Sequence, residues 1–117
     1  MQFSFLIIDS NEFSTKEILN LFEYFPNYFC AGVVKDNQTI ANQITKLKPQ
    51  LVFIQIPTKA NESEIVFQTI LELFQYIETV PYFIALAKTP NFALQAIQSG
   101  FSEYLTEPIS MHQLGKT

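Results

Sequence analysis

The stretch Leu51-Val52-Phe53-Ile54-Gln55-Ile56-Pro57 constrains this chain more than any other. Four consecutive apolar residues, then a polar one, then a proline soon after predict a strand covered on both faces. Such strands occur in parallel sheets sandwiched between helices, which keep their sites at the carboxyl ends of the strands. The polar residue at that end is Gln55. It is a neutral amide with one acceptor and two donors, no charge and no useful nucleophile.

The rest of the chain alternates around this strand. Gln2 to Ile8 reads as a first strand with Asp9 at its carboxyl end. Ser14-x-x-Glu17 fits a capping box, and Asn11 could cap one turn earlier. Ile18, Leu21, Phe22 and Phe25 then recur at helical spacing. Tyr28 to Val34 reads as the second strand. Asp36 or Asn37 caps a helix striped by Ile40, Ile44 and Leu47, and Pro49 ends it. After the third strand, Asn61-x-x-Glu64 can cap a helix with Phe67, Ile70, Leu71, Phe74 and Ile77 on one face. Tyr82 to Leu86 is a fourth strand. Thr89-Pro90 opens a helix running to about Ser99, and Gly100 suits its C′ position. Phe101 to Leu105 is a short fifth strand, and Ser110-x-x-Gln113 can cap a fifth helix. Five βα units with short connections predict an α/β, flavodoxin-like, doubly wound five-stranded parallel sheet. The expected order is 2-1-3-4-5 in three layers, with the first and fifth helices sharing a face.

At 117 residues the chain is expected to be a single domain over 1–117. A net charge of −4, with all seven basic residues lysine, argues against direct nucleic acid binding, which needs clustered cations. No apolar run approaches the ~20 residues of a membrane span. Met1-Gln-Phe-Ser lacks the charged start of a signal peptide. The single cysteine, Cys30, allows no internal disulfide and fits a reducing cytoplasm, where it reads as a small buried hydrophobe.

Four local patterns resemble the receiver (CheY-like) domain of bacterial response regulators. Ile7-Ile8-Asp9-Ser10-Asn11-Glu12 stands where that family has an acidic pair. Pro49 to Gln55 is similar to its "kPDLvflDi" strand. Ala93-Leu94-Gln95-Ala96-Ile97-Gln98-Ser99-Gly100-Phe101-Ser102-Glu103-Tyr104-Leu105 resembles "ALEAFEAGAVDYL", most of all in receivers attached to a LytTR-type DNA-binding domain. Glu107-Pro108-Ile109 replaces "KPI". The resemblance implies a phosphorylatable aspartate ending the third strand and Mg²⁺ held by that aspartate and the acidic pair. It also implies a Thr or Ser ending strand four and a Lys after strand five.

Matched residue by residue, the pocket is degenerate: Gln55 at the acceptor, Asp9 and Ser10 at the acidic pair, Ala87 (to within one residue) at the hydroxyl position, and Glu107 at the lysine. Only Asp9 keeps the family residue type, and on its own it also reads as a strand-end carboxylate capping the next helix. An amide cannot form an acyl phosphate as a carboxylate does. One carboxylate is a poor Mg²⁺ site. The expectation is a pseudo-receiver of a two-component system, not an enzyme, with no cofactor and the Mg²⁺ site lost. It would act by protein contact in the cytoplasm. The alternatives are a phosphorelay receiver with a non-standard site, or a flavodoxin-like small-ligand binder.

Further expectations come from the same match. Tyr104 stands at the family's switch aromatic, or simply packs beside helix four, and Pro108 stands at a cis peptide. Helix four carries no charge; Ala93, Ala96 and Ile97 are expected in its core stripe, with Phe92 beside it. Leu94, Phe101 and Tyr104 are then expected to form an interaction face for a protein partner or a homodimer through helix four, strand five and helix five. The last helix is expected to be cut short, with a C-terminal effector domain, possibly DNA-binding, beyond Thr117. His112 reads as a solvent-facing helix residue. Lys59 and Lys88 lie in loops on the same edge of the sheet as Asp9.

Overall fold

The computed structural model describes residues 2–9, 11–35, 40–75, 77, 80–107 and 109. Its elements run β1 (Phe3–Ile8), α1 (Glu12–Phe22), β2 (Tyr28–Val34), α2 (Ile40–Leu47), β3 (Leu51–Gln55), α3 (Ala60–Leu73), β4 (Tyr82–Ala87), α4 (Ala93–Gln98) and β5 (Glu103–Thr106). The sheet has the expected order β2-β1-β3-β4-β5, and every pairing is parallel. The expected fifth helix, Ser10, the Asp36 or Asn37 cap, Pro108 and His112 lie outside the described residues.

Period-two alternation sends neighbouring side chains of each central strand to opposite faces. Leu6, Ile8, Val52, Ile54, Phe83 and Ala85 pack with Ile40, Ile44, Val66, Phe67, Ile70, Leu73 and Ala96, so α2, α3 and α4 cover one face. Phe5, Ile7, Phe53, Ile84 and Leu86 pack with Ile18 and Phe22 of α1 on the other, joined there by Ile109. Aromatic rings fill much of the α1 face, where Phe5 stacks on Phe22 at 4.1 Å between centroids and meets Phe53 edge-on. At the amino edge, Gln50 locks β1 to β3: its Oε1 accepts from the Ser4 backbone N–H at 2.7 Å and from Ser4 Oγ at 2.8 Å.

Several local expectations need correction. Asn11 caps α1, its side chain accepting from the Phe13 and Ser14 N–H groups, while Ser14 is buried inside the helix. Helix α3 starts at Ala60, before the expected Asn61 cap, and Ser63 Oγ donates instead to the Ala60 carbonyl. Leu71 faces outward and Leu73 takes its place in the core, because the buried stripe runs through Val66, Phe67, Ile70 and Leu73. Helix α4 starts at Ala93, three residues later than a first turn at Pro90 would place it. Cys30 is only half-buried, its Sγ 3.4 Å from the Gly32 carbonyl, with burial raising the thiol above its ordinary range.

The end of α4 matches its sequence. Gly100 has φ 108°, the Phe101 N–H donates to the Ala96 carbonyl at 3.0 Å, and the Gly100 N–H donates to Ile97 at 3.2 Å. This is a Schellman turn, and its positive φ favours glycine. A Cβ at Gly100 would also collide with the Phe74 ring. Gly100→Ala is therefore expected to destabilise the fold by more than about 2 kcal/mol, measured by urea denaturation.

Candidate functional site at the carboxyl edge of the sheet

Strand register brings the sequence-matched residues to one edge. Gln55 ends β3 opposite Leu86, so Ala87, one residue further, ends β4. Ala87 pairs with Thr106, and the Glu107 N–H donates to the Ala87 carbonyl at 2.7 Å. Asp9 follows β1, its backbone N–H bonded to Val34 at 2.9 Å. Ser10 and Pro108, matched to the same edge by sequence, are among the residues not described.

A cavity of about 360 Å³ opens there. Ile8, Asp9 and Asn11 form one wall, and Gln55, Ile56, Pro57 and Thr58 the next. Lys35, Glu62 and Lys88 complete the lining. Lys35 is engaged with Glu12, Nζ to Oε1 at 2.8 Å, the ion pair found among the described residues. That contact holds the Glu12 carboxyl below its ordinary range. Lys88 is exposed. Lys59, considered beside it from sequence, does not line the cavity and sits at the N-cap of α3.

Asp9 is the unusual group. It is 3% exposed, and its Oδ1 accepts from the Asn11 N–H at 2.9 Å. Its Oδ2 is buried with no partner among the described residues, and so is Gln55 Oε1. Burial pushes the Asp9 carboxyl above its ordinary value. The Asn11 hydrogen bond opposes this, Glu107 adds to it, and Lys88 lowers it least.

The proposed interaction face divides. Leu94 is 70% exposed, as expected. Phe101 is 3% exposed and packs edge-on against Phe67 and Phe83, because the turn at Gly100 directs it inward. Ile97, expected in the core, is instead 50% exposed beside Leu94. Tyr104 is half-buried, and its phenol donates to the Thr89 carbonyl at 2.6 Å. The sequence reading gave no cavity role to Lys35, Thr58 or Glu62; each is a loop or helix-start residue brought in by topology, with no local pattern to mark it.

No protein-family model matches the chain. It is 26% identical over 114 residues to a response regulatory protein of Vibrio parahaemolyticus, covering 96% of this chain and 44% of the relative. It is 27% identical over 116 residues to one of Vibrio cholerae, covering 97% and 46%. The chain thus spans less than half the length of these curated relatives. Among solved structures it resembles a CheY-like receiver domain from Methylobacillus flagellatus, with TM-score 0.79, 17% identity and coverage of 99% and 95%. It also resembles a LuxR-family two-component response regulator from Aurantimonas, with TM-score 0.81, 15% identity and coverage of 99% and 81%. The fold is that of CheY-like receivers. In sequence the chain is similar to response regulatory proteins over nearly its whole length.

The desolvated carboxylate yields a stability prediction. The folded Asp9 binds its proton more tightly than the unfolded chain does. Its favourable contribution is therefore full below the ordinary carboxylate value and lost as pH rises through the raised one. Asp9→Asn keeps an oxygen for the Asn11 N–H and removes the charge. It is expected to raise stability at pH 7 by on the order of 1 kcal/mol, with the gain fading at pH 3 to 4 in chemical denaturation. A variant equally destabilised at both pH values would contradict this.

Proposed function

We propose that this receiver domain is a pseudo-receiver, the signalling module of a longer two-component regulator that works by protein contact without aspartyl phosphorylation. The observation that carries the reading is Gln55 at the carboxyl end of the central strand, where phosphoryl transfer needs a carboxylate nucleophile. The neighbouring chemistry supports it. Ala87 offers no hydroxyl, and Glu107 brings a negative charge where an incoming phosphoryl group needs a positive one. Mg²⁺ fits the residues present poorly. The cavity lining offers the Asp9 and Glu62 carboxylates and the Gln55 amide, and no group of three His, Cys, Asp or Glu side chains among the described residues could hold a metal.

The relatives' greater length supports an effector domain beyond this segment, and the local match to LytTR-type receivers makes a DNA-binding effector our reading of its kind. No helix among the described residues is long and apolar enough to cross a membrane, in keeping with work in the cytoplasm. Output is assigned to α4 and β5, where Leu94 and Ile97 stand exposed on a helix without a charged side chain. Exposed apolar pairs of this kind suit contact by burial.

Incubation with acetyl phosphate and Mg²⁺ is expected to leave the intact mass unchanged. A phosphoryl adduct on any residue of this edge would overturn the reading. Replacing Leu94 and Ile97 together with Lys is expected to weaken self-association or effector contact at least tenfold while the circular dichroism stays the same. Unchanged association in sedimentation and in effector binding would remove the face from the account.

A further inference from the structure

The two edges of the sheet are defended differently. β5 is four residues long and carries the exposed Glu103. β2, at the other edge, is seven residues long. From Tyr24 to Val34 no side chain is charged. Tyr24 is 68% exposed and Phe29 48%, with Phe25 and Tyr28 half-buried beside them and meeting edge-on. Proteins usually blunt an edge strand with charge, proline or short length, because its free backbone groups template pairing. Here a register shift opposite Phe5 and Leu6 leaves Ala31 out of step with β1. Tyr28 to Cys30, before the shift, stay in register and form the open part of the edge. The Phe3 N–H donates to the Asn27 carbonyl, and Phe3 pairs with Tyr28. By the alternation of a parallel ladder, the backbone groups of Tyr28 and Cys30 then point away from β1. The Tyr28 N–H turns back to the Phe25 carbonyl at 3.0 Å. The Tyr28 carbonyl and the Cys30 N–H and carbonyl are left at the rim, with no strand beyond them among the described residues.

We infer that β2 is a homodimer contact, at which a second copy of this chain pairs antiparallel about a two-fold axis at Phe29. Two observations favour a second copy over a foreign strand. The first is that the rim complements itself. The axis sets Tyr28 opposite Cys30 of the second copy, so each Tyr28 carbonyl meets a Cys30 N–H. The second is the missing charge. A two-fold contact sets this short stretch against itself, where a charge near the axis would meet its own copy. Tyr24 to Val34 offers no such charge, whereas selection of a foreign strand commonly uses one. Phe29 meets Phe29 of the second copy across the axis, covering aromatic surface that each chain alone leaves open. The register shift at Ala31 limits the pairing to a few residues, so the contact is weak and dimerisation depends on concentration. This surface is separate from α4 and leaves Leu94 and Ile97 free for an effector. It is independent of the chemistry of the carboxyl edge.

The test is sedimentation of the domain from micromolar to millimolar concentration, with amide hydrogen exchange at both ends of the range. A dimer is expected to grow with concentration, and the Cys30 amide to gain protection with it. Phe29→Lys is expected to weaken dimerisation at least tenfold with the circular dichroism unchanged, while Phe29→Leu retains most of it. Leu94→Lys combined with Ile97→Lys is expected to leave this dimer intact, its effect falling on effector contact. Phe29→Cys combined with Cys30→Ser is expected to form a disulfide between two native chains, because residues facing each other across such an axis lie within bonding reach. The cross-link and the exchange pattern decide the matter if Phe29→Lys fails to fold. A chain that stays monomeric at millimolar concentration overturns the inference, whether or not it takes up a foreign extended peptide. So does a dimer that the α4 substitutions abolish and Phe29→Lys leaves intact. A phosphoryl adduct after acetyl phosphate would overturn the pseudo-receiver reading and leave this one standing.

Discussion

The Asp9 carboxylate at the end of β1 accepts one hydrogen bond, from the Asn11 N–H, while its other oxygen is buried without a partner among the described residues. Asn11 uses its backbone to satisfy Asp9 and its side chain to cap α1, so the geometry of the helix start is tied to the position of the carboxylate. A buried carboxylate without full compensation is costly. Proteins tolerate such groups where the site does work, so strained electrostatics and function tend to coincide.

The sheet makes this edge by topology alone. Parallel register aligns the ends of β1, β3 and β4, and their carboxyl ends deliver Asp9, Gln55 and Ala87 to one place from three distant segments. Helices α2, α3 and α4 lock one face, α1 the other, and the Gln50–Ser4 bonds pin the opposite edge. The scaffold is therefore indifferent to what stands at the strand ends. Replacing a nucleophile by an amide there changes the chemistry without asking the core to repack, which is how one fold hosts different sites.

Strand identity and sheet order were legible because buried parallel strands are continuous apolar runs, and because βα alternation leaves few topologies. Gly100 was legible because its turn needs a positive φ. Helix starts were less so: Ser14 and Asn11 are both good cap types, and it is Asn11 whose side chain meets the first-turn N–H groups. Phe101 and Ile97 exchanged expected places, since the inward turn after α4 and the short length of that helix are tertiary outcomes that a hydrophobic stripe does not encode. Asp9 and Gln55 were found from motif position. Lys35, Thr58 and Glu62 were not, because their part in the cavity depends on how α3 and the β2 end approach the sheet.

The most direct test of the central claim, that this edge has no phosphoryl acceptor, is fluorine NMR of the domain with beryllium fluoride and Mg²⁺. Beryllium trifluoride mimics a phosphoryl group by taking its fourth ligand from an acceptor carboxylate. The account predicts free fluoroberyllate signals alone for the natural chain, with bound signals appearing when Gln55 is replaced by Asp. Bound signals in the natural chain that vanish with Asp9→Asn would contradict it, by showing that Asp9 has taken over the acceptor role.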